Sequence, residues 1–265
     1  MRIEERWSNP LDSAQLSGAA RELASFACDA ILVNGDRALT AVRNAGSSAP
    51  VVIAGTDNHR VFGSSLTHPS TNVTGSLQSQ SDLAEGFGKS ISIIKEMVPT
   101  LQTAALLISS NHNNRESLSS AFTTAASMNG VEARSFAVGT AAEIALALKS
   151  ASEGPQTALL VSRDAFLVRN QLLIIQLANS LRLPAIYPDA IYSEAGGLIS
   201  YGANRIHLYQ IAATYVDRIL RGAKPEQLPV QQPQSYELVL NLRTAKLLGW
   251  AIPDTLLAAA DQVLE

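Results

Sequence analysis

Apolar residues run along this chain in short unbroken stretches, separated by segments with helical period. The stretches are 30–33 (AILV), 51–55 (VVIAG), 103–109 (TAALLIS), 157–162 (TALLVS) and 183–188 (LPAIYP). Most lack polar alternation, the pattern of strands covered on both faces, as in parallel sheets. The spacing predicts helices between them. One covers 16–26. Asp36 is the expected cap of a second over 37–45, which Gly46 ends. Ser81 or Asp82 opens a third that runs to Met97, just before Pro99. Asn113 or Asn114 opens a helix closed by Gly130, and Thr140 opens one that ends near Gly154. Asp164 starts a long helix to Leu181, and a helix over 205–220 stops at Gly222 with Pro225 beyond it. Strand and helix alternate throughout, so the fold class is α/β with right-handed crossovers.

In open parallel sheets, ligands bind outside the carboxyl ends of the strands. The residues that follow each stretch are therefore the candidate site. They are Asn34-Gly35-Asp36, Thr56-Asp57-Asn58, Ser110-Asn111-His112-Asn113, Arg163-Asp164 and Asp189. Every exit is polar, and several double as helix starts, whose free N–H groups can hold a carboxylate or phosphate. Each Asp or Asn taken singly can equally be a helix cap and nothing more. Together they predict a small-molecule cleft.

Composition narrows the function. Hydrophobic residues make up 46% and charged ones 16%, which is globular rather than disordered. The net charge of −3 comes with no run of Lys or Arg, against a nucleic-acid binder, which needs a basic stripe. Cys28 is the single cysteine, so no internal disulfide forms. It reads as a small buried side chain, with a reactive thiol as the other reading. No apolar run is long enough to span a membrane, and the opening MRIEERWSNP lacks the apolar core of a signal peptide.

Catalytic signatures are missing. GFGKS at 86–90 resembles the end of a phosphate-binding loop, but Leu83 stands where that loop needs its first glycine, and the segment lies within a predicted helix. No dinucleotide fingerprint follows a strand, and no nucleophile elbow, H-E-x-x-H or C-x-x-C occurs. The histidines at 59, 68, 112 and 207 have no metal-ligand spacing. Neither a cofactor nor a metal is expected, and binding without chemistry fits better than an enzyme.

The C-terminal half carries a resemblance. The strings EAGGLISYG and LYQIAATYVDRILRGAKPEQLPV, with LTHPSTNVTG, IIKEMVP and ALLVSRDAF upstream, resemble the ABC-transporter substrate-binding proteins of the tryptophan/tyrosine-binding (TrpX-like) family. The resemblance covers nearly the whole chain and is strongest from Leu181 onward. It implies a type I periplasmic-binding fold: two Rossmann-like lobes with parallel sheets, joined by three crossing strands, with a ligand in the interlobe cleft. The implied lobes are 1–76 with 203–233, and 77–202 with 234–265. The crossings fall near NVTGSLQ, at GLISYG and near QSYELVLNL. Glycines that flank GLISYG would then tolerate hinge torsions; the plainer alternative is tight turns.

By position, the resemblance implies that Gly35, Asp36, Thr56 and Asp57 line the cleft from the N-terminal lobe. Ser110, Asn111, His112, Asp164, Ala165 and Tyr187 line it from the C-terminal lobe, and Tyr201 faces it from a crossing strand. Asp57 or Asp164 would take the ammonium group of an amino acid, helix-start N–H groups its carboxylate, and Tyr187 and Tyr201 an aromatic side chain. The implied function is solute capture for an ABC importer, with an aromatic or other amino acid as candidate. Its partners are the importer's permease and ATPase, with no nucleic acid and no direct membrane insertion. The expected location is the periplasm or the cell surface, as a lipoprotein. The alternative is the ligand-sensing module of a signalling system. The family's Asp-Pro after the second stretch is Asp57-Asn58 here. The chain is also expected to begin at the family's second strand, RIEERW, with the first strand and helix of the N-terminal lobe missing.

Overall fold

The computed structural model describes residues 2–8, 12–56, 58–78, 83–112, 114–233 and 235–265. The expected helix starts Ser81, Asp82 and Asn113 and the expected site residue Asp57 lie outside them. In chain order the elements are α1 (Ser13–Ser25), β1 (Ile31–Val33), α2 (Gly35–Asn44), β2 (Val51–Thr56), β3 (Val73–Leu77), α3 (Leu83–Met97) and β4 (Thr103–Ser109). Next come α4 (Arg115–Met128), β5 (Glu132–Val138), α5 (Ala141–Ser152), β6 (Thr157–Val161), α6 (Ala165–Arg169), α7 (Gln171–Ser180), β7 (Ala185–Tyr187) and α8 (Ala190–Glu194). The chain finishes with β8 (Ile199–Ala203), α9 (Arg205–Leu220), β9 (Tyr236–Asn241), α10 (Leu242–Leu248), α11 (Asp254–Ala259) and β10 (Gln262–Leu264). Two compact units divide it: Met1–Gln80 with Asn204–Gln234, and Ser81–Ala203 with Ser235–Glu265.

The first unit is built on a parallel sheet in the order β1-β2-β3. Its central strand β2 is apolar on both sides because both sides are covered. Val51 and Ile53 pack with Leu39 and Val42 of α2 and Ala20 of α1. Their neighbours Val52 and Ala54 pack with Ala212, Tyr215 and Ile219 of α9.

The second unit holds a sheet in the order β10-β9-β8-β7-β6-β4-β5, parallel except where β8 meets β9. The same two-sided logic applies. Leu106, Ile108, Leu160 and Leu240 face α3, α4, α10 and α11. Leu107, Leu159, Val161 and Tyr187 face α5, α6, α7 and α8. Phe122 is fully buried at the centre of the first of these layers, edge-on to Phe87 with ring centroids 5.4 Å apart.

Three expectations change. RIEERW is not a strand: residues 2–8 carry no regular structure, and Ile3 and Trp7 face solvent. Four of its six residues are charged, and a parallel strand covered on both faces would bury them. Arg6 instead pairs with Glu22 of α1 at 2.5 Å. The long helix from Asp164 is two, α6 and α7, broken at Asn170, whose side-chain amide donates to Phe166 O at 2.8 Å. That local bond competes with helix continuation. Helix α2 begins two residues early, with Asn34 as its N-cap and Asp36 inside the first turn.

Glycine at 197 and 202 has a packing reason. A Cβ at Gly197 would lie 2.7 Å from the Tyr187 ring and 2.8 Å from Tyr192 O. One at Gly202 would lie 2.0 Å from Pro188 O and 2.8 Å from Arg163 Nη2. Neither has a positive φ, so close approach rather than torsional freedom requires glycine there. Strand β8 ends at Ala203, the last residue before the chain passes to the first unit.

Two substitutions test this packing. Phe122→Ala should cost about 3–5 kcal/mol in urea unfolding, since it empties a fully buried aromatic site. Gly202→Ala should lower the melting temperature clearly, whereas Gly86→Ala, where a Cβ meets nothing within 4 Å, should leave it unchanged or raise it.

Candidate ligand-binding site

Strands β4, β6 and β7 are neighbours and parallel, so their carboxyl ends lie side by side on the second unit. The turn after β4 is bonded to itself. His112 N donates to Ser109 O at 3.1 Å, Asn111 N to Ser109 Oγ at 3.3 Å, and Asn114 N to His112 Nδ1 at 3.1 Å. Ser110 N donates to Val138 O at 2.8 Å, which ties this turn to the end of β5. His112 therefore spends one ring nitrogen on the entry to α4. Asn111 is exposed, and Ser110 and His112 are half-buried.

The β6 exit is Ser162-Arg163-Asp164. Asp164 caps α6 by accepting from Phe166 N at 2.7 Å, and half-buried Ala165 is the helix's first residue. The β7 exit is Pro188-Asp189, where Asp189 caps α8 by accepting from Ile191 N at 3.3 Å. Arg163 joins the two exits. Its Nη2 donates to Pro188 O, and its Nη1 stands 3.8 Å from Asp189 Oδ2. The side chains of this pair are 18% and 8% exposed.

Tyr187 does not form an open wall. It is 1% exposed and lies within the core layer under α8. Its ring stacks on that of Tyr192, with centroids 5.0 Å apart and planes 12° from parallel. As the last residue of β7 it points to the helix-covered face, and the chain closes over it through α8. Both phenol oxygens, and the Ser162 hydroxyl, are buried with no hydrogen-bond partner among the described residues. Burial pushes both phenols far up, so they stay neutral donors. Tyr201 is half-buried on the opposite face of the sheet, stacked on Tyr236 with centroids 5.4 Å apart. Burial raises its phenol, with Asp261 and Glu85 adding to the shift.

On the first unit, the exits of neighbouring β1 and β2 come together. Gly35, at φ +80°, opens α2. Thr56, fully buried at the end of β2, donates its hydroxyl to Asp36 Oδ1 and accepts from Asn58 N at 2.9 Å. Asn34 Nδ2 donates to Tyr209 Oη of α9 at 2.7 Å. Gly35, Asp36 and Thr56 thus share one rim; Ser110, Asn111, His112, Asp164 and Ala165 share the other.

The sequence reading places Arg163 and Asp189 at strand exits but not among the ligand residues. The joint between them depends on a carbonyl of the next strand and on Gly202, and neither leaves a mark in the sequence. Ser162 and Tyr192 are missed for a simpler reason: nothing in a sequence reports whether a buried hydroxyl has found a partner.

Acidic groups crowd the neighbouring strand. Glu237, opposite Gly202 in the β8–β9 register, has its carboxyl raised above the usual value, first by burial and then by Asp261, Glu194 and Asp189. A carboxyl raised in the folded state favours the protonated form there. Its contribution to stability is present below the ordinary Glu range and is lost as pH rises through the raised value. Glu237→Gln should therefore flatten the fall in stability over that window, read by urea unfolding at a series of pH values.

Comparison with known proteins supplies the family. A family model described as ABC transporter substrate binding protein matches residues 8–264. A Streptococcus pneumoniae protein, described as an ABC domain in complex with L-Trp, superposes with a TM-score of 0.83 at 23% identity, covering 96% of this chain and 86% of that one. A conserved domain protein from Vibrio cholerae gives a TM-score of 0.85 at 23% identity, covering 95% and 84%. The ligand-free, open form of a substrate binding protein with adhesive properties from Clostridium difficile gives 0.69 at 21% identity, covering 96% and 84%. Comparison with curated proteins gives no match. At these identities the structures establish a shared α/β fold, and the family model, which spans almost every residue, establishes more: this chain belongs to the ABC transporter substrate binding protein family.

Proposed function

We propose that this protein captures a small solute for an ABC importer, and that the solute is an amino acid. The observation that carries the reading is the polar rim of the second unit, where Ser110, Asn111, His112, Asp164 and Ala165 gather at neighbouring strand exits. With it goes the rim of Gly35, Asp36 and Thr56 on the first. Asp57, next to Thr56 in sequence, belongs to the same assignment. Both rims mix carboxylates with helix-start N–H groups, which suits a solute that bears an ammonium group and a carboxylate. A fold relative solved in complex with L-Trp supports the amino-acid class.

The role needs no bond to be made or broken, and the residues at the rims are arranged as caps and hydrogen-bond partners rather than as a nucleophile with its base. The partners of this role are the permease and ATPase of an importer. The place of work is outside the cytoplasm, in the periplasm or at the cell surface as a lipoprotein. Among the described residues no helix is long and apolar enough to cross a membrane.

A thermal-shift screen tests the reading, because a solute that binds the folded state raises the melting temperature. The proteinogenic L-amino acids, a set of sugars and a set of simple organic acids form the panel. A concentration-dependent rise with one or more amino acids is expected. A rise with sugars alone would overturn the amino-acid reading, and steady consumption of a bound compound would overturn the non-catalytic one. Within the panel, Asp164→Asn should weaken the amino acid that binds by about tenfold, the size expected for a lost charge-assisted bond.

A further inference from the structure

We infer that Arg163 is a ligand-binding residue whose guanidinium takes the carboxylate of an amino acid. The inference rests on the amino-acid reading above and deepens it, since that reading assigns the carboxylate to helix-start N–H groups.

Arg163 is held in place but not used up. A guanidinium carries five N–H donors in a rigid fork. One bond to Pro188 O fixes its orientation. Its second arm faces Asp189 across 3.8 Å, which is an ionic contact too long for a hydrogen bond. The remaining donors have no partner among the described residues. The side chain as a whole is mostly buried, yet none of its nitrogens is among the buried atoms left without a partner, so the unfilled donors are open to an incoming group. The protein also maintains the seat by a constraint elsewhere, for Gly202 on β8 is the residue that leaves room for the guanidinium and the Pro188 carbonyl together.

A second observation sits beside it in the chain. Ser162, the residue before Arg163, keeps a buried hydroxyl with no hydrogen-bond partner among the described residues. A guanidinium fork with unfilled donors asks for acceptors, and a carboxylate is the small acceptor that matches a guanidinium bidentately.

The surrounding charge selects among carboxylates. Asp189 stands 3.8 Å from the guanidinium and Asp164 is its neighbour in sequence, so a bare carboxylate brings its charge close to acids as well as to the arginine. A carboxylate that carries an ammonium group beside it meets no such penalty, because the ammonium can face Asp164. The expected ranking at this subsite is therefore amino acid first, with the deaminated acid and the decarboxylated amine both weaker.

The test uses the whole chain and isothermal titration. The strongest binder among the proteinogenic L-amino acids is titrated beside its decarboxylated amine and its deaminated acid, into the wild type, Arg163→Gln and Arg163→Lys. The wild type should prefer the amino acid to its amine by about tenfold or more, as expected of a bidentate charged pair. Arg163→Gln should lose that preference while its weak amine binding persists. Arg163→Lys should fall between, since a point charge lacks the fork. The preference is a ratio, so partial misfolding of a variant does not move it, and Arg163→Lys carries the test if Arg163→Gln does not fold. An Arg163→Gln variant that keeps the wild-type preference overturns this inference and leaves the amino-acid reading standing. A wild type that binds no amino acid overturns both.

Discussion

A sheet covered by helices on both faces has little room for a polar side chain except at the ends of its strands, and the mid-strand exceptions here, Thr74, Ser76 and Ser200, are all small. That constraint organises this protein. Leu106 and Leu107 sit next to each other on β4 and are buried in different layers, so neither position tolerates a polar substitute. The same holds for Val51 and Val52 on β2. Polarity is thereby displaced along the strand to the residues that leave it, where Ser110, Arg163, Asp189 and Asp36 are found. Hydrophobic covering and site chemistry are two outcomes of one exclusion.

This is also why so much could be read from the sequence. The apolar stretches of β2, β4 and β6 are unbroken because both faces are buried, and unbroken runs are legible. Strand β5 was not foreseen: it is an edge strand whose residues are exposed or half-buried until the buried Val138, so EARSFAV has no continuous apolar signal. The short β10, with two of its three residues exposed, escapes for the same reason. RIEERW misled in the opposite direction. Its resemblance to a strand came from position in the family, while its four charges argued against burial.

At the site, legibility stopped at contacts between side chain and distant backbone. That Asp164 caps a helix follows from its place before the apolar run AFLV; that Arg163 reaches Pro188 O, 25 residues on, does not. Tyr187 shows the limit from the other side. An aromatic residue at the end of a strand looked like a wall for a flat solute, but α8 folds back over it and Tyr192 stacks on its face. What lies just past a strand depends on where the next few residues turn, and a turn of five residues such as α8 leaves little trace in composition.

One bond on the first unit has a directional meaning. The hydroxyl of Thr56 owns a single proton, and that proton goes to Asp36. The same oxygen takes the Asn58 N–H, so the hydroxyl answers to a carboxylate on one side and to the backbone of the next turn on the other. The orientation of this corner is written by the direction of two hydrogen bonds and not by the identity of either residue alone.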